Sequence, residues 1–502
     1  IARHLAAASS GERDRAARLS LSGERPDLSA RHVLTGVQGM IVASAVMTLA
    51  MLAILTPGAF FQMAHLVVIP VYLGAIGLRL CAAASARPQV DSPPLREPDE
   101  LRPVYTVLVA LYRESEVAAD LVAALSELSW PRSKLDVMLV CEGDDPETIA
   151  AVQRAVEREP GFRIVVVPPS LPRTKPKALN YALPLATGEF VVLYDAEDRP
   201  HPDQLETAFR AMRAGGENLA CLQAPLVIRN GERHWLAGHF ALEYAALVRG
   251  MLPFLARLGL PLPLGGTSNH FRRASLHDVG AWDSHNVTED ADLGIRLSRS
   301  GYRVETIACP TFEDAPERWR DWRNQRTRWM KGWMLTWLVH MRHPARLVRD
   351  LGPTGFLALQ LVFFGMVAST IAHPFFLGFL AYTAVSTAIA GLPDMATRIL
   401  IAVDLVALVL GYVAFALLAV RTLDTRGKRK LRGHLWSLTA YWCLISLASA
   451  RAFRQLIINP HMWEKTPHGP STRAKGQRAP TARVAIPDRS QRGWRGWRES
   501  QV

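Results

Sequence analysis

A chain of 502 residues with 49% apolar residues and a formal net charge of +13 is too long for one ordinary domain, and its apolar residues concentrate in two blocks. The basic excess argues for a membrane surface and against nucleic acid as partner, because it flanks those blocks: Arg3, Arg13, Arg15 and Arg18 precede the first, and Arg473 through Arg498 follow the last. Five scattered cysteines without a CxxC pair argue against a zinc site or a disulfide framework and fit a reducing cytosol.

The sequence opens on Ile1 and not on Met, as expected of a fragment or a processed chain. Residues 1–32 read as a basic cytosolic segment; a signal peptide is disfavoured because the apolar stretch starts only past residue 30 and a second follows at once. Val33–Thr56 and Leu66–Ala84 are each long enough to cross a hydrocarbon layer of about 30 Å, with Thr56-Pro57-Gly58 as the turn between them. A Pro-rich linker then leads into a polar region, 98–350.

This region alternates strands and helices. Val104–Leu111, Leu135–Cys141, Phe162–Val167 and Glu189–Tyr194 read as strands, with helices expected at Glu116–Leu128 and from about Pro146 to Arg158. The alternation predicts an α/β, Rossmann-like, mostly parallel sheet covered on both faces, whose ligands lie beyond the carboxyl ends of its strands. Three of the four strands end in polar chemistry: Tyr112 and Glu114, then Glu142 and Asp144, then Asp195, Glu197 and Asp198.

Each cluster has a bland reading. Asp195-Ala-Glu-Asp198 is either a solvated turn or a hard-cation site completed by substrate phosphates, with Asp195 and Glu197 on one side of a continuing strand and Asp198 as the alternative second ligand. The lysines of Lys175-Pro-Lys-Ala-Leu-Asn180 either solvate a loop or neutralise a diphosphate. Thr288-Glu289-Asp290 is an ordinary helix start or a positioned general base. Gln325-Arg-Thr-Arg328-Trp329 suits a membrane-surface helix, or phosphate contacts and an indole stacked on a sugar ring.

Past residue 350 come four more apolar runs, Gly355–Ala372, Phe375–Leu392, Ile399–Val420 and about Leu435–Ile458. Four full crossings would place Arg421, Arg426, Lys428, Arg429, Lys430 and Arg432 outside, against the positive-inside tendency, so one run is expected to lie along the membrane. The tail 459–502, rich in Pro, Arg, Gly and Ser from Thr466, is expected to be disordered and is too short for a folded regulatory domain.

In order and spacing these motifs resemble the processive membrane glycosyltransferases of family 2, which include bacterial cellulose, chitin and hyaluronan synthases. The resemblance covers roughly residues 33–458 and is most specific at Gln325/Arg328/Trp329. It implies a cytosolic GT-A domain between transmembrane helices that form a channel, in a bacterial inner membrane. It also implies a UDP-sugar donor, UDP-glucose foremost, and a growing polysaccharide as acceptor. Asp290 would be the general base with Glu289 beside it. Asp195 and either Glu197 or Asp198 would hold Mg²⁺ or Mn²⁺, and Lys177 and Asn180 would stand beside the diphosphate. Tyr112, Glu114 and Glu142 or Asp144 would contact the nucleotide, Gly265–Phe271 would form an acceptor-side loop, and Trp329 would carry the acceptor sugar. The stretch Asn459–Gly469 is similar to that of a bacterial subgroup that includes β-glucan synthases. Two other readings stay open: transfer of a single sugar to a lipid carrier, and a transporter with a cytosolic regulatory domain.

Overall fold

The computed structural model describes residues 8–86 and 101–464; the linker 87–100 and the tail 465–502, with its basic run, lie outside the described residues. The segment ahead of the first apolar block is a helix, α1 (Ser10–Glu24), opened by a capping box in which Ser9 and Glu12 exchange hydrogen bonds. Helices α2 (Gly36–Leu55) and α3 (Pro57–Ala84) follow, separated at Thr56, with Pro57 at the first position of α3, where its missing N–H costs no helical bond.

The central domain runs β1 (Tyr105–Leu111), α4 (Ala118–Ser126), β2 (Leu135–Glu142), α5 (Pro146–Val156), β3 (Phe162–Val167), α6 (Lys175–Ala182) and β4 (Phe190–Tyr194). It continues with β5 (Arg199–Pro200), α7 (Gln204–Gly215), β6 (Leu219–Gln223), β7 (Leu226–Ile228), α8 (Trp235–Ala246), α9 (Leu252–Arg257) and β8 (Asn269–Arg272). Then come α10 (Arg273–Asp278), α11 (Glu289–Arg299), β9 (Arg303–Thr306) and β10 (Thr311–Glu313). The main sheet has the order β3-β2-β1-β4-β8-β6-β9; β3, β2, β1 and β4 are parallel, and β8 runs antiparallel between β4 and β6. Strands β2 and β4 are buried throughout and β1 nearly so, which is why Val107–Leu111, Val137–Cys141 and Phe190–Tyr194 read as unbroken apolar runs. One apolar layer packs α4, α5 and α7 onto the sheet and a second packs α6, α8, α9 and α11 onto its other face. Val109 pairs with both Leu139 and Tyr194, so the carboxyl ends of β1, β2 and β4 come out along one edge.

A small sheet, β5-β10-β7, closes the far side of the turn that follows β4. Beyond it lie α12 (Trp319–His340), α13 (Pro344–Leu359), α14 (Gly365–Ala390), α15 (Met395–Thr422), α16 (Thr425–Leu431) and α17 (Leu438–Ile458).

Among the described residues four helical stretches are long and apolar enough to cross a membrane: Gly36–Leu55, Pro57–Ala84, Pro344–Ala390 and Thr397–Thr422. The apolar runs that the sequence separates at residues 372–375 are one continuous helix: a π-helical turn at Gln360–Phe364 joins α13 to α14, and Pro374 sits inside α14 without ending it. Helix α17 is not among the four, and both its ends touch the central domain. Before it, Trp235 Nε1 donates to Ser437 Oγ at 2.9 Å and Lys430 pairs with Glu232. After it, Lys331 Nζ donates to the Met462 carbonyl at 2.7 Å and His461 Nδ1 lies 3.0 Å from the His285 carbonyl. Residues 459–464, expected as the start of a disordered tail, are thus laid against α12.

Candidate active site

Tyr112, just past β1, lies between two guanidinium groups, with Arg113 and Arg173 carbons 5.1 and 5.6 Å from its ring centroid. Arg173 also donates to the Tyr112 hydroxyl at 3.3 Å and pairs with Asp144 at 2.7 Å. Glu114 is buried nearby, its backbone N–H donating to Thr148 Oγ1 at 2.9 Å. Tyr112, Arg173 and Asp144 make a half-exposed aromatic and charged rim at the ends of β1 and β2. Arg173 was not singled out in the sequence; its only signal is the basic run Arg173-Thr-Lys-Pro-Lys177.

Glu142, the last residue of β2, is buried, and the structure gives it to Lys177, whose Nζ lies 2.9 Å from its Oε2 and donates to the Pro168 carbonyl at 3.2 Å. Burial raises the Glu142 carboxyl and Lys177 opposes that shift. Lys177 is fully buried and does not bond to the acidic turn. Asn180 is also engaged in the fold: its amide donates to the Trp282 carbonyl at 2.7 Å and accepts from the Trp282 N–H at 3.1 Å. The lysine that does reach the turn is Lys175, at the first position of α6. Its Nζ binds Asp195 Oδ1 and donates to the Gly266 carbonyl at 2.7 Å.

Strand β4 ends at Tyr194 and the chain turns, so strand alternation stops governing the three carboxylates. The Asp198 N–H donates to the Asp195 carbonyl at 3.2 Å, and Asp198 Oδ2 accepts from the Asp195 N–H at 2.7 Å and from the Thr267 hydroxyl. Asp198 is fully buried, and its second oxygen, Oδ1, has no hydrogen-bond partner. Burial, then Asp195 and Glu197, push its pKa well above the ordinary carboxylate range. Glu313, at the end of β10, meets the same field: burial raises it strongly, and Asp198, Glu197 and Asp195 add to the shift. Glu313 escaped the sequence reading because it leaves a three-residue strand; the pair Glu313-Asp314 is its only mark.

No group of three or more His, Cys, Asp or Glu side chains among the described residues is gathered as a metal cage. A hard cation shared with substrate phosphates needs only one or two carboxylates from the protein. An unpartnered buried oxygen on Asp198 beside Asp195 fits that need.

Glu289 and Asp290 open α11, whose N-terminus carries three acids in its first turn. Burial pushes Asp290 up to about 6, opposed by the Ala291 N–H and by Lys175. Burial and then Asp290 push Glu289 up to about 8, with Lys175 opposing. Lys175 therefore stands between the turn after β4 and the start of α11. Gly266 lies between them too: a Cβ there would come within 3.3 Å of Asp290 Oδ2.

Helix α12 crosses α11 closely enough that a Cβ on Gly332 would sit 2.3 Å from the Thr288 methyl. Only glycine permits that approach, which brings the face carrying Arg328 next to the two acids, whose pKa values it lowers. The Arg328 guanidinium also lies 4.5 Å over the Trp463 ring. Gln325 Oε1 is buried without a hydrogen-bond partner. Trp329, half-buried, packs near Phe240 and Tyr244 (centroids 5.7 and 6.0 Å), with the Arg326 guanidinium 4.7 Å from its ring. Trp322 is fully buried and donates to the Tyr441 hydroxyl at 3.3 Å, while the Trp337 indole N–H is held by Gln360 at 2.8 Å. Trp322 therefore offers no open ring face.

Part of the chain is similar to known glycosyltransferases. Residues 190–423 match the family described as glycosyl transferase family group 2. The probable glycosyltransferase YdaM of Bacillus subtilis is 26% identical over 257 residues, 48% of this chain and 57% of that protein. A beta-monoglucosyldiacylglycerol synthase of Trichormus variabilis is 24% identical over 264 residues, 51% of this chain and 54% of that one. The chain thus spans about half the length of the curated relatives it matches. Among solved structures, the mannosyltransferase PcManGT from Pyrobaculum calidifontis, in complex with GDP-Man and Mn²⁺, aligns over 79% of this chain and 98% of its own at 20% identity, with a TM-score of 0.49.

Proposed function

We propose that the protein is an inverting, membrane-embedded glycosyltransferase that takes a sugar from a UDP-sugar, UDP-glucose foremost, and adds it to a growing β-linked polysaccharide on the cytosolic side of a bacterial inner membrane. The observation that carries this reading is the placement of Lys175 between Asp195 and the Glu289/Asp290 pair. A donor diphosphate beyond β4 would then lie on one side of the ammonium, and an acceptor hydroxyl would approach the acids on the other.

In this mechanism Asp290, ionised above pH about 6, takes the proton from the acceptor hydroxyl as it attacks the anomeric carbon from the face opposite the diphosphate. Glu289, protonated at neutral pH, keeps the pair from carrying two adjacent charges. Lys175 and Arg328 supply positive charge where the departing diphosphate gains negative charge. A divalent cation held by Asp195 and Asp198, with Glu197 at hand, would add Lewis-acid stabilisation of the same charge. Tyr112, Glu114, Asp144 and Arg173 form the nucleoside side. Glu142 supports it through Lys177. Trp329, with Gln325 beside it, orients the acceptor sugar.

A second reading has its own support: transfer of a single sugar to a lipid. Two relatives carry the name beta-monoglucosyldiacylglycerol synthase. The deciding experiment supplies bilayer-reconstituted protein with a panel of UDP-sugars, with and without diacylglycerol, and analyses the products. Linkage-defined polymer supports the first reading, a glycolipid replaces it with the second, and no UDP release from any donor defeats both.

A further inference from the structure

The segment ahead of the first apolar helix is bonded to both halves of the site. Ser10 Oγ lies 2.8 Å from the Tyr181 hydroxyl on α6, and Asp14 Oδ1 accepts from Ser170 Oγ at 2.6 Å. The Ala17 carbonyl accepts from Asn180 Nδ2 at 3.3 Å and from Ser284 Oγ at 2.5 Å. Leu21 packs so close to Gly280 that a Cβ there would lie 2.9 Å from its methyl, and Gly280 itself has φ +81°. Helix α6 carries Lys175, and the loop 279–288 delivers Glu289 and Asp290.

The tightest join is at Asp283, which is fully buried. Its carboxylate accepts from Ser29 Oγ at 3.1 Å, from the Ala30 N–H and from the His285 N–H at 3.1 Å. Bonds then run on toward the acids. The Asn286 N–H donates to the Asp283 carbonyl at 3.1 Å, the Thr288 N–H donates to Asn286 Oδ1 at 3.1 Å, and Asn286 Nδ2 donates to Thr336 on α12 at 3.0 Å. A buried carboxylate satisfied by two donors from a segment some 250 residues away holds that loop in one arrangement; without them it is a buried charge short of partners.

We propose that residues 8–32 are a brace built into the active site, and that Asp283 is the positioning residue through which the brace holds Asp290. The inference rests on Asp290 as the base. It follows that the approach to the membrane sets the geometry of catalysis, since residue 32 is four residues from the start of α2.

The test uses the full chain, reconstituted in bilayers, as Ser29→Ala, Asp283→Ala and the double variant. Asp283→Ala is expected to lower kcat per folded molecule ~10-fold with donor KM within about twofold of wild type, since small misplacements of a reacting group are costly. Ser29→Ala should cost ~2–3-fold, and the double variant should be no worse than Asp283→Ala, because the two act through one contact. Amide hydrogen exchange over residues 284–292 should rise in each, a readout that needs no activity. Unchanged exchange there, unchanged kcat per folded molecule, or multiplicative losses would each overturn the brace. Should Asp283→Ala fail to fold, Ser29→Ala with rescue by Ser29→Thr decides the matter. Full activity in Asp290→Asn would defeat the base assignment, while the exchange result would still judge the brace.

Discussion

Lys175 Nζ is bonded to Asp195 Oδ1, an ion pair between the first residue of α6 and the first residue past β4. The same ammonium lowers the pKa values of Asp290 and Glu289. Removing it leaves those acids with burial and their mutual repulsion less opposed, so both rise. For a base that must be ionised, activity is present above its pKa and lost below it. Wild-type kcat should therefore fall on the acid side with a midpoint near pH 6, and Lys175→Met should move that midpoint upward as well as lowering the plateau by ~10²-fold. A pH–rate profile checks both. An unmoved midpoint in Lys175→Met would separate Lys175 from the base.

Asp198 gives the test for a cation. A carboxyl whose folded pKa lies above its unfolded value favours folding at low pH, and that contribution is lost as pH rises through the folded value. At pH 8 a cation-free sample should thus carry a destabilising cluster of Asp195, Glu197 and Asp198. Mn²⁺ with UDP should raise Tm more at pH 8 than at pH 5.5. Asp198→Asn keeps an oxygen for the Asp195 N–H and Thr267, removes the charge, and should raise the metal-free Tm at pH 8 by roughly 2 °C while abolishing the Mn²⁺ response. Comparison with Glu197→Gln identifies the second ligand, and a full Mn²⁺ response in both variants would leave Asp195 alone on the cation.

The sheet and its polar edge were legible because buried parallel strands are largely apolar, so the polar residues that follow Leu111, Cys141 and Tyr194 stand out. The two lysines were not. Lys175 and Lys177 differ by two positions, which on a helix means nearly opposite faces, and only the start of α6 at Lys175 decides which one meets the turn. The choice between Glu197 and Asp198 stayed open in the sequence for a related reason: period-two alternation ends with the strand, and a turn returns Asp198 to Asp195. In the second apolar block, length alone could not show that the helix resuming at Pro353 after the kink at Gly352 continues to Ala390, or that α17 rests against the domain. Those facts depend on a π-helical turn and on contacts made by the residues at each end.

The placement of α16 makes the topology testable. Lys430 pairs with Glu232 of the central domain, so the basic loop shares that domain's side. Lys428→Cys in a cysteine-free background should resist an impermeant thiol reagent added to intact cells and react once the cells are opened. Ready labelling of intact cells would contradict the contact.

Trp329 is set in a cluster that joins α8, α12 and α17. Its ring is backed by the Arg326 guanidinium at 4.7 Å, and Arg326 is held by Glu243 at 2.5 Å, which also accepts from Tyr441 at 2.6 Å. One carboxylate thus fixes the platform to both α8 and α17. If the indole orients an acceptor sugar, Trp329→Ala should cut transfer on the order of 100-fold yet spare slow hydrolysis of the nucleotide sugar, since water needs no platform. Glu243→Gln should give a milder loss of the same kind: the amide keeps an oxygen for Tyr441 but loses the charge opposite Arg326, which frees the guanidinium to move off the ring. The two losses should be non-additive in the double variant. Were Trp329 only an interfacial anchor, Trp329→Phe would match wild type and Ala would lower expression more than specific activity. Transfer product and free UDP, measured on equal amounts of folded protein, separate these outcomes. Equal loss of both would assign Trp329 to the fold or to the donor site.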